Sequence, residues 1–302
     1  MPTQIELLKK HSLPIRGTMG QHLLIDPNMQ RKIVDFLSPG PKDKILEIGP
    51  GLGALTGEIL QRGASVIAVE KDKRFIPILE EEFGRYGDKF KLIQGDALET
   101  DFNVILREGK KYSAGGVRQR TDGSVLGRRS AFGGKVISNL PYYVTAPILL
   151  KLVSARKFFS EAVLTMQKEV AQRLAAFPGT KHYGRLTLAV RYGAEVEPGF
   201  DIPKTCFTPV PEVDSSVLRL VFHQGPQLLK PAQEKFLFEL IRFGFAQRRK
   251  TFLHVLARER SIGLARVELL TVFKSLGFSE TVRGEELLLK DFMALAAKLK
   301  KK

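Results

Sequence analysis

Residues 44–63 read KILEIGPGLGALTGEILQRG, and the fold class turns on them. KILEI has the short apolar run of a buried strand. Glycines at 49, 51 and 53 interrupt it, and ALTGEILQRG then carries helical periodicity closed by Gly63. A strand that turns through glycine into a helix is the opening unit of an α/β domain. Gly49, Gly51 and Ala54 satisfy the loose pattern G-x-G-x-x-G/A, and Glu70 follows at the distance of an acid that accepts hydrogen bonds from ribose hydroxyls. Glycines there let the backbone approach a nucleotide. On this pattern alone an NAD-dependent enzyme stands as one reading.

Outward from this unit the alternation continues. SVIAVEKD (65–72), FKLIQGDAL (90–98) and KVISNLPY (135–142) read as further strands, and RFIPILEEEFGRYG (74–87) as a helix. Strands separated by helices predict a parallel sheet covered on both faces, with ligands at the carboxyl ends of its strands. Gly49 to Gly53, Glu70, Asp96 and Asn139 fall at four such ends. Three features argue against a dinucleotide: Glu47 lies within the first strand, Gly53 extends the run to G-x-G-x-G, and Asp96 stands where a carboxylate accepts from an adenine amine. A ligand with one adenosine and no pyrophosphate suits them, and S-adenosylmethionine is such a ligand.

The 302 residues suggest two domains, and 43% hydrophobic residues suffice for an ordinary core. No stretch approaches the roughly 18 uninterrupted apolar residues of a membrane span, and MPTQIELLKKHSLPIRG lacks a signal-peptide core, so a cytoplasmic protein is expected. The single cysteine, Cys206, excludes an internal disulfide, and neither it nor the five scattered histidines argue for a metal site. Lys and Arg number 48 against 32 Asp and Glu, a net charge of +16, which favours a polyanionic partner such as nucleic acid.

Beyond the sheet pattern, CFTPVPEVDSSVLRLVF (206–222) combines a proline-stiffened loop with an alternating strand. HQGPQ (223–227) reads as a linker, and 228–302 as a small all-helical domain following a catalytic domain of 1–222. Residues 107–135 hold seven glycines, eight basic and two acidic residues without periodicity, and read as a basic, flexible insertion that adds phosphate contacts. The segment 241–260 reads as one basic helix with QRRK (247–250) at its centre, which makes Arg248, Arg249 and Lys250 candidate contacts to RNA phosphates.

GQHLLID (20–26), EIGPGLGALT, VIAVEKD, QGDAL, NLPYYVTAPIL, MQKEVAQRL, YGRLTLAVRY, FTPVPEVDSSVLRL and FAQRRKTF occur in the order seen in the ribosomal RNA adenine dimethyltransferases, which this chain resembles over nearly its whole length. The resemblance implies a Rossmann-like, S-adenosylmethionine-dependent methyltransferase fold with a helical carboxy-terminal domain. It also implies N6,N6-dimethylation of two adjacent adenosines near the 3′ end of small-subunit (16S) ribosomal RNA, within a pre-30S particle, by a monomer. By motif, the cofactor contacts it implies are His22, Leu24, Gly49, Glu70, Asp96 and Asn139, with Gly51 in the same glycine turn. One departure stands out: where the family reads GQNFL, His22 replaces an asparagine and Leu23 a phenylalanine.

The segment NLPY (139–142) is where chemistry is expected. An adenine N6 amine is a poor nucleophile because its lone pair is delocalised into the ring. Two acceptors, the Asn139 side-chain oxygen and the Leu140 carbonyl, would take its protons and aim the lone pair, with Pro141 fixing the turn. Tyr142 offers a stacking surface for an unstacked base, and the resemblance places Phe207 on the opposite face. Tyr143 and the other aromatics are expected in the core. No acid–base residue is needed, because the alkylated amine is acidic enough to lose its proton to water. Three other readings remain open: a large-subunit resistance methyltransferase, a non-catalytic ribosome-assembly factor on the same fold, and a dehydrogenase.

Overall fold

The computed structural model describes residues 2–13, 22–107, 133–225 and 229–299. Most of the expected basic insertion, 107–135, and the last two residues of the expected linker, 223–227, lie outside them. The chain divides into two compact units, Met1–Ala171 with Ala194–Gln224, and Gln172–Gly193 with Gly225–Lys302.

The first unit holds strands β1 (Leu23–Leu24), β2 (Lys44–Ile48), β3 (Ser65–Glu70), β4 (Phe90–Gln94), β5 (Gly134–Asn139), β6 (Phe159–Gln167), β7 (Ala194–Ile202), β8 (Phe207–Thr208) and β9 (Ser215–Phe222). Seven of them form one sheet in the order β4-β3-β2-β5-β6-β9-β7. The pairs from β4 to β6 are parallel, and β9 runs antiparallel to both β6 and β7. From β2 the chain winds outward through β3 and β4, then crosses to β5 on the other side. This reversal opens a crevice at the carboxyl ends of β2 and β5.

Helices α1 (Gln4–Lys10), α2 (Pro27–Leu37), α3 (Ala54–Gln61), α4 (Ile76–Phe83), α5 (Phe102–Arg107) and α6 (Thr145–Ser154) also belong to this unit. Local chemistry sets where they begin. The Asp26 carboxylate accepts from Met29 N at 2.9 Å, with Pro27 in the first turn of α2. Ile33 and Leu37 of α2 and Ile59 of α3 are then fully buried in one apolar cluster with Ile45, Val66 and Ala68 of the sheet. The alternation expected for β9 holds only in its second half, because neighbours on both edges and packing on both faces bury Ser215 to Leu218 throughout.

Helix α7 (Lys168–Ala175) leads into the second unit, which contains α8 (Arg185–Gly193), α9 (Pro231–Ala246), α10 (Phe252–Arg258), α11 (Arg266–Ser275) and α12 (Leu289–Leu299). Tyr183, Leu188 and Tyr192 are buried in the same cluster as Leu237, Leu240, Phe252 and Phe292. Packing therefore counts 172–193 with the carboxy-terminal helices, where a boundary read from sequence at 223–227 counts it with the sheet. The single basic helix expected over 241–260 is two helices. Lys250 N donates to Gln247 O at 2.9 Å, closing a turn, and the Thr251 hydroxyl caps α10 by accepting from His254 N at 3.4 Å. No helix among the described residues is long and apolar enough to cross a membrane.

Candidate functional site

Beyond Ile48 the chain turns through Gly49, Gly51 and Gly53 at φ +67°, +59° and +81°. Their demands differ. A Cβ at Gly53 would lie 2.1 Å from the Phe83 ring, so that glycine serves packing; at Gly49 a Cβ would meet nothing within 4 Å, so within the protein only φ calls for glycine there. Gly49 N donates to Val69 O at 2.9 Å, and Gly51 N donates to Glu70 Oε2 at 3.0 Å. Glu70 Oε1 accepts from Asp72 N at 2.7 Å. The Glu70 carboxyl is 4% exposed, and its pKa is pushed up to about 7 by burial, against those backbone donors. Burial likewise pushes Glu47 up to about 7, although Thr56 Oγ1 donates to it at 2.5 Å. Two carboxyls thus stand under one glycine loop, each shielded from water.

The opposite wall is the end of β5. Leu140 N donates to Thr165 O at 3.0 Å, extending the ladder to β6, and Pro141 O accepts from Val144 N at 3.1 Å as the chain enters a short 3₁₀ turn over Tyr142–Val144. Asn139 Nδ2 donates to His22 O at 3.0 Å, which leaves Oδ1 as the acceptor of that amide. The His22 imidazole donates from Nδ1 to Pro209 O at 2.7 Å, and its ring centroid lies 5.3 Å from that of Tyr142, tilted by 30°. Tyr142 is half-buried, which raises the pKa of its phenol, and its hydroxyl is 3.0 Å from Ser215 Oγ.

His22, Leu24, Gly49, Gly51, Glu70, Asn139, Leu140, Pro141 and Tyr142 all line one open cleft. Two expected residues do not line it. Asp96 stands beside Glu70 at the end of β4, where Lys71 Nζ pairs with it at 2.8 Å and Leu98 N donates to it at 2.8 Å; these hold its carboxyl below the usual range. Phe207 is 1% exposed. Its strand β8 pairs with β1, Leu24 opposite Phe207, and its side chain belongs to the apolar core cluster. Tyr143, expected in the core, is 57% exposed.

A family described as ribosomal RNA adenine dimethylase has a sequence model that matches residues 13–271. The chain belongs to this family. It is 39% identical over 292 residues to "Ribosomal RNA small subunit methyltransferase A" of Geobacillus sp. (strain WCH70), covering 96% of this chain and 94% of that protein. The protein of the same name from Bacillus cytotoxicus (strain DSM 22905 / CIP 110041 / 391-98 / NVH 391-98) is 38% identical, with 96% and 93% covered. Among solved structures, a dimethyladenosine transferase from Plasmodium falciparum superposes with a TM-score of 0.75 at 26% identity, covering 93% of this chain and 98% of that one. The 23S rRNA methyltransferase ErmE shares the fold, with a TM-score of 0.64 at 21% identity and 92% and 100% covered.

On the RNA side, this dimethylase departs from the expected basic helix face. Arg248 is spent inside its own unit: its guanidinium donates to the carbonyls of Lys181, at 3.2 Å, and Tyr183, and pairs with Glu285 at 3.2 Å. Arg249 and Lys250 lie exposed in the turn between α9 and α10. Sequence reading also missed lining residues of the dimethylase cleft. Gln4 and Phe75 line it with Glu47, Ala54 and Leu55. Gln4 and Leu7, three apart and both buried on α1, carried a signal in their helical spacing; Phe75 carried none.

Proposed function

We propose that this dimethylase transfers methyl groups from S-adenosylmethionine to N6 of two adjacent adenosines near the 3′ end of small-subunit (16S) ribosomal RNA, acting in the cytoplasm as a monomer on an assembling pre-30S particle. The observation that carries the reading is the shared cleft: the glycine loop and Glu70 on one wall, Asn139 to Tyr142 on the other. The open space above Gly49 and the acceptors around it fit a single nucleoside with a cationic tail. When bound, the cofactor supplies an electrophilic methyl on a sulfonium centre. The relatives named as small-subunit methyltransferases favour that RNA over the large-subunit one.

The chain's own groups would act as follows. Glu70 accepts from ribose hydroxyls, and Asp96, once Lys71 yields, from the cofactor's adenine amine. Backbone at Gly49 and Gly51 admits the nucleoside, while His22 and Leu24 close the cleft over it. Asn139 Oδ1 and the Leu140 carbonyl accept the two N6 protons of the target base, and Pro141 holds that carbonyl in place. The Tyr142 ring carries the base, and its contact with the His22 ring marks the stacking surface. Catalysis is then orientation, with no general base.

The test is methyl incorporation into small-subunit particles isolated from cells that lack this modification, read by mass spectrometry of RNA fragments. N6,N6-dimethyladenosine at two neighbouring positions is the expected product. Methylation of large-subunit RNA instead, or stoichiometric particle binding without methyl transfer, would overturn the assignment.

A further inference from the structure

Helix α1 turns an amide inward where an apolar residue would fill the space at less cost. Thr3 and Glu6 form a capping box, Glu6 N donating to Thr3 Oγ1 at 3.2 Å and Thr3 N to Glu6 Oε2 at 2.7 Å, which fixes the first turn. Gln4 lies in that turn, 5% exposed, beside the buried Leu7 and on the lining of the cleft. Its Nε2 donates to Leu52 O, inside the glycine loop, at 3.4 Å. Exchanging the two amide atoms would set two oxygens against each other, so this bond orients the group. Oε1 is then buried without a hydrogen-bond partner among the described residues. Buried acceptors are nearly always satisfied, and leaving one open is costly, so an orphan on the wall of a ligand cleft marks a group kept for a ligand.

The donor follows from the order of the sheet. On the reading given above, on which this inference rests, the nucleoside lies toward β3 and β4, where Glu70 and Asp96 stand. The reacting sulfonium faces Asn139 at the end of β5. Between them is the β2 loop, which Gln4 touches at Leu52; the remaining part of the cofactor, its amino-acid end, is left to this loop. That end carries a strong cationic donor. We infer that Gln4 is a cofactor-positioning residue whose Oε1 accepts a hydrogen bond from the α-ammonium group of S-adenosylmethionine. It holds the tail of the cofactor against the glycine loop and touches neither the methyl group nor the RNA.

Two ligands and one variant test this by calorimetry and thermal denaturation. Gln4→Met keeps the length and removes the acceptor. It should weaken S-adenosylmethionine about tenfold, the loss of one charge-assisted hydrogen bond, and leave unchanged the binding of 5′-methylthioadenosine, which lacks the amino-acid end. The melting temperature of the ligand-free variant should match or exceed the wild type, because an unsatisfied buried amide is gone. Equal weakening of both ligands by Gln4→Met, or unaltered S-adenosylmethionine affinity in that variant, would each overturn the inference alone. A wild-type protein that binds neither ligand would sink the proposed function together with it.

Discussion

The Asn139 amide holds the His22 carbonyl at 3.0 Å, so the residue proposed to orient the target amine also pins the segment that closes the cleft. Asn139→Ala removes both roles. With cofactor saturating, single-turnover methyl transfer should fall on the order of 100-fold, about 2.7 kcal/mol of transition-state stabilisation, while RNA affinity changes little. Loss of RNA binding with a normal chemical step would move Asn139 from chemistry to scaffold.

Lys71 and Asp96 predict opposite changes at one place. Asp96→Ala deletes the proposed acceptor and should weaken S-adenosylmethionine by roughly 1–3 kcal/mol. Lys71→Met breaks the 2.8 Å ion pair that occupies the carboxylate. An exposed pair of this kind is worth about 0–1 kcal/mol, so cofactor affinity should rise by no more than about fivefold, and most at low salt. Titration calorimetry of both variants decides it: weaker binding in Lys71→Met would make Lys71 a cofactor contact in its own right.

The buried carboxyls set a pH dependence. Glu47 and Glu70 each titrate near 7 in the folded protein against an ordinary value of 4.5. Between those values the folded state holds more protons than the unfolded one. Their contribution to stability is therefore full below about pH 4.5 and is lost as pH rises through about 7. The slope approaches about 1.4 kcal/mol per pH unit per group at most. Glu47→Gln keeps an acceptor for Thr56 and removes one of the two titrations. Urea denaturation of the ligand-free protein at pH 5 and pH 8 should show a smaller drop for the variant; an unchanged drop would mean that Glu47 ionises normally.

In the turn between α9 and α10 the three basic residues separate by role. Replacing Arg249 and Lys250 by Gln should reduce the log–log salt dependence of RNA binding by about 1–2 units if both meet phosphates. Arg248→Gln should leave that slope alone and destabilise the helical unit, because carbonyls of Lys181 and Tyr183 and the Glu285 carboxylate lose their donor. An Arg248→Gln protein with full stability and a shallower slope would restore it to the RNA surface.

What could be read from the sequence was local. Residues 44–63 contain a strand, its turn and its helix in one stretch, and Glu70 and Asn139 end strands whose apolar runs are unmistakable. What could not be read depends on distant partners. Phe207 is buried because a two-residue strand pairs with Leu23 and Leu24, and two residues carry no period to detect. Arg248 is consumed by carbonyls some 65 positions earlier, and charge alone does not distinguish a phosphate contact from an internal clamp. The break at 247–251 falls in a polar stretch, where a helix and a turn look alike.

The two anchors of the stacking wall arrive late in the chain. His22 is held by Pro209, 187 positions on, and Tyr142 by Ser215, 73 positions on. Both contacts span much of the chain, so the wall that would carry a base forms only once distant segments have folded together, a non-local step whose loop-closure entropy must be met before the contacts repay it.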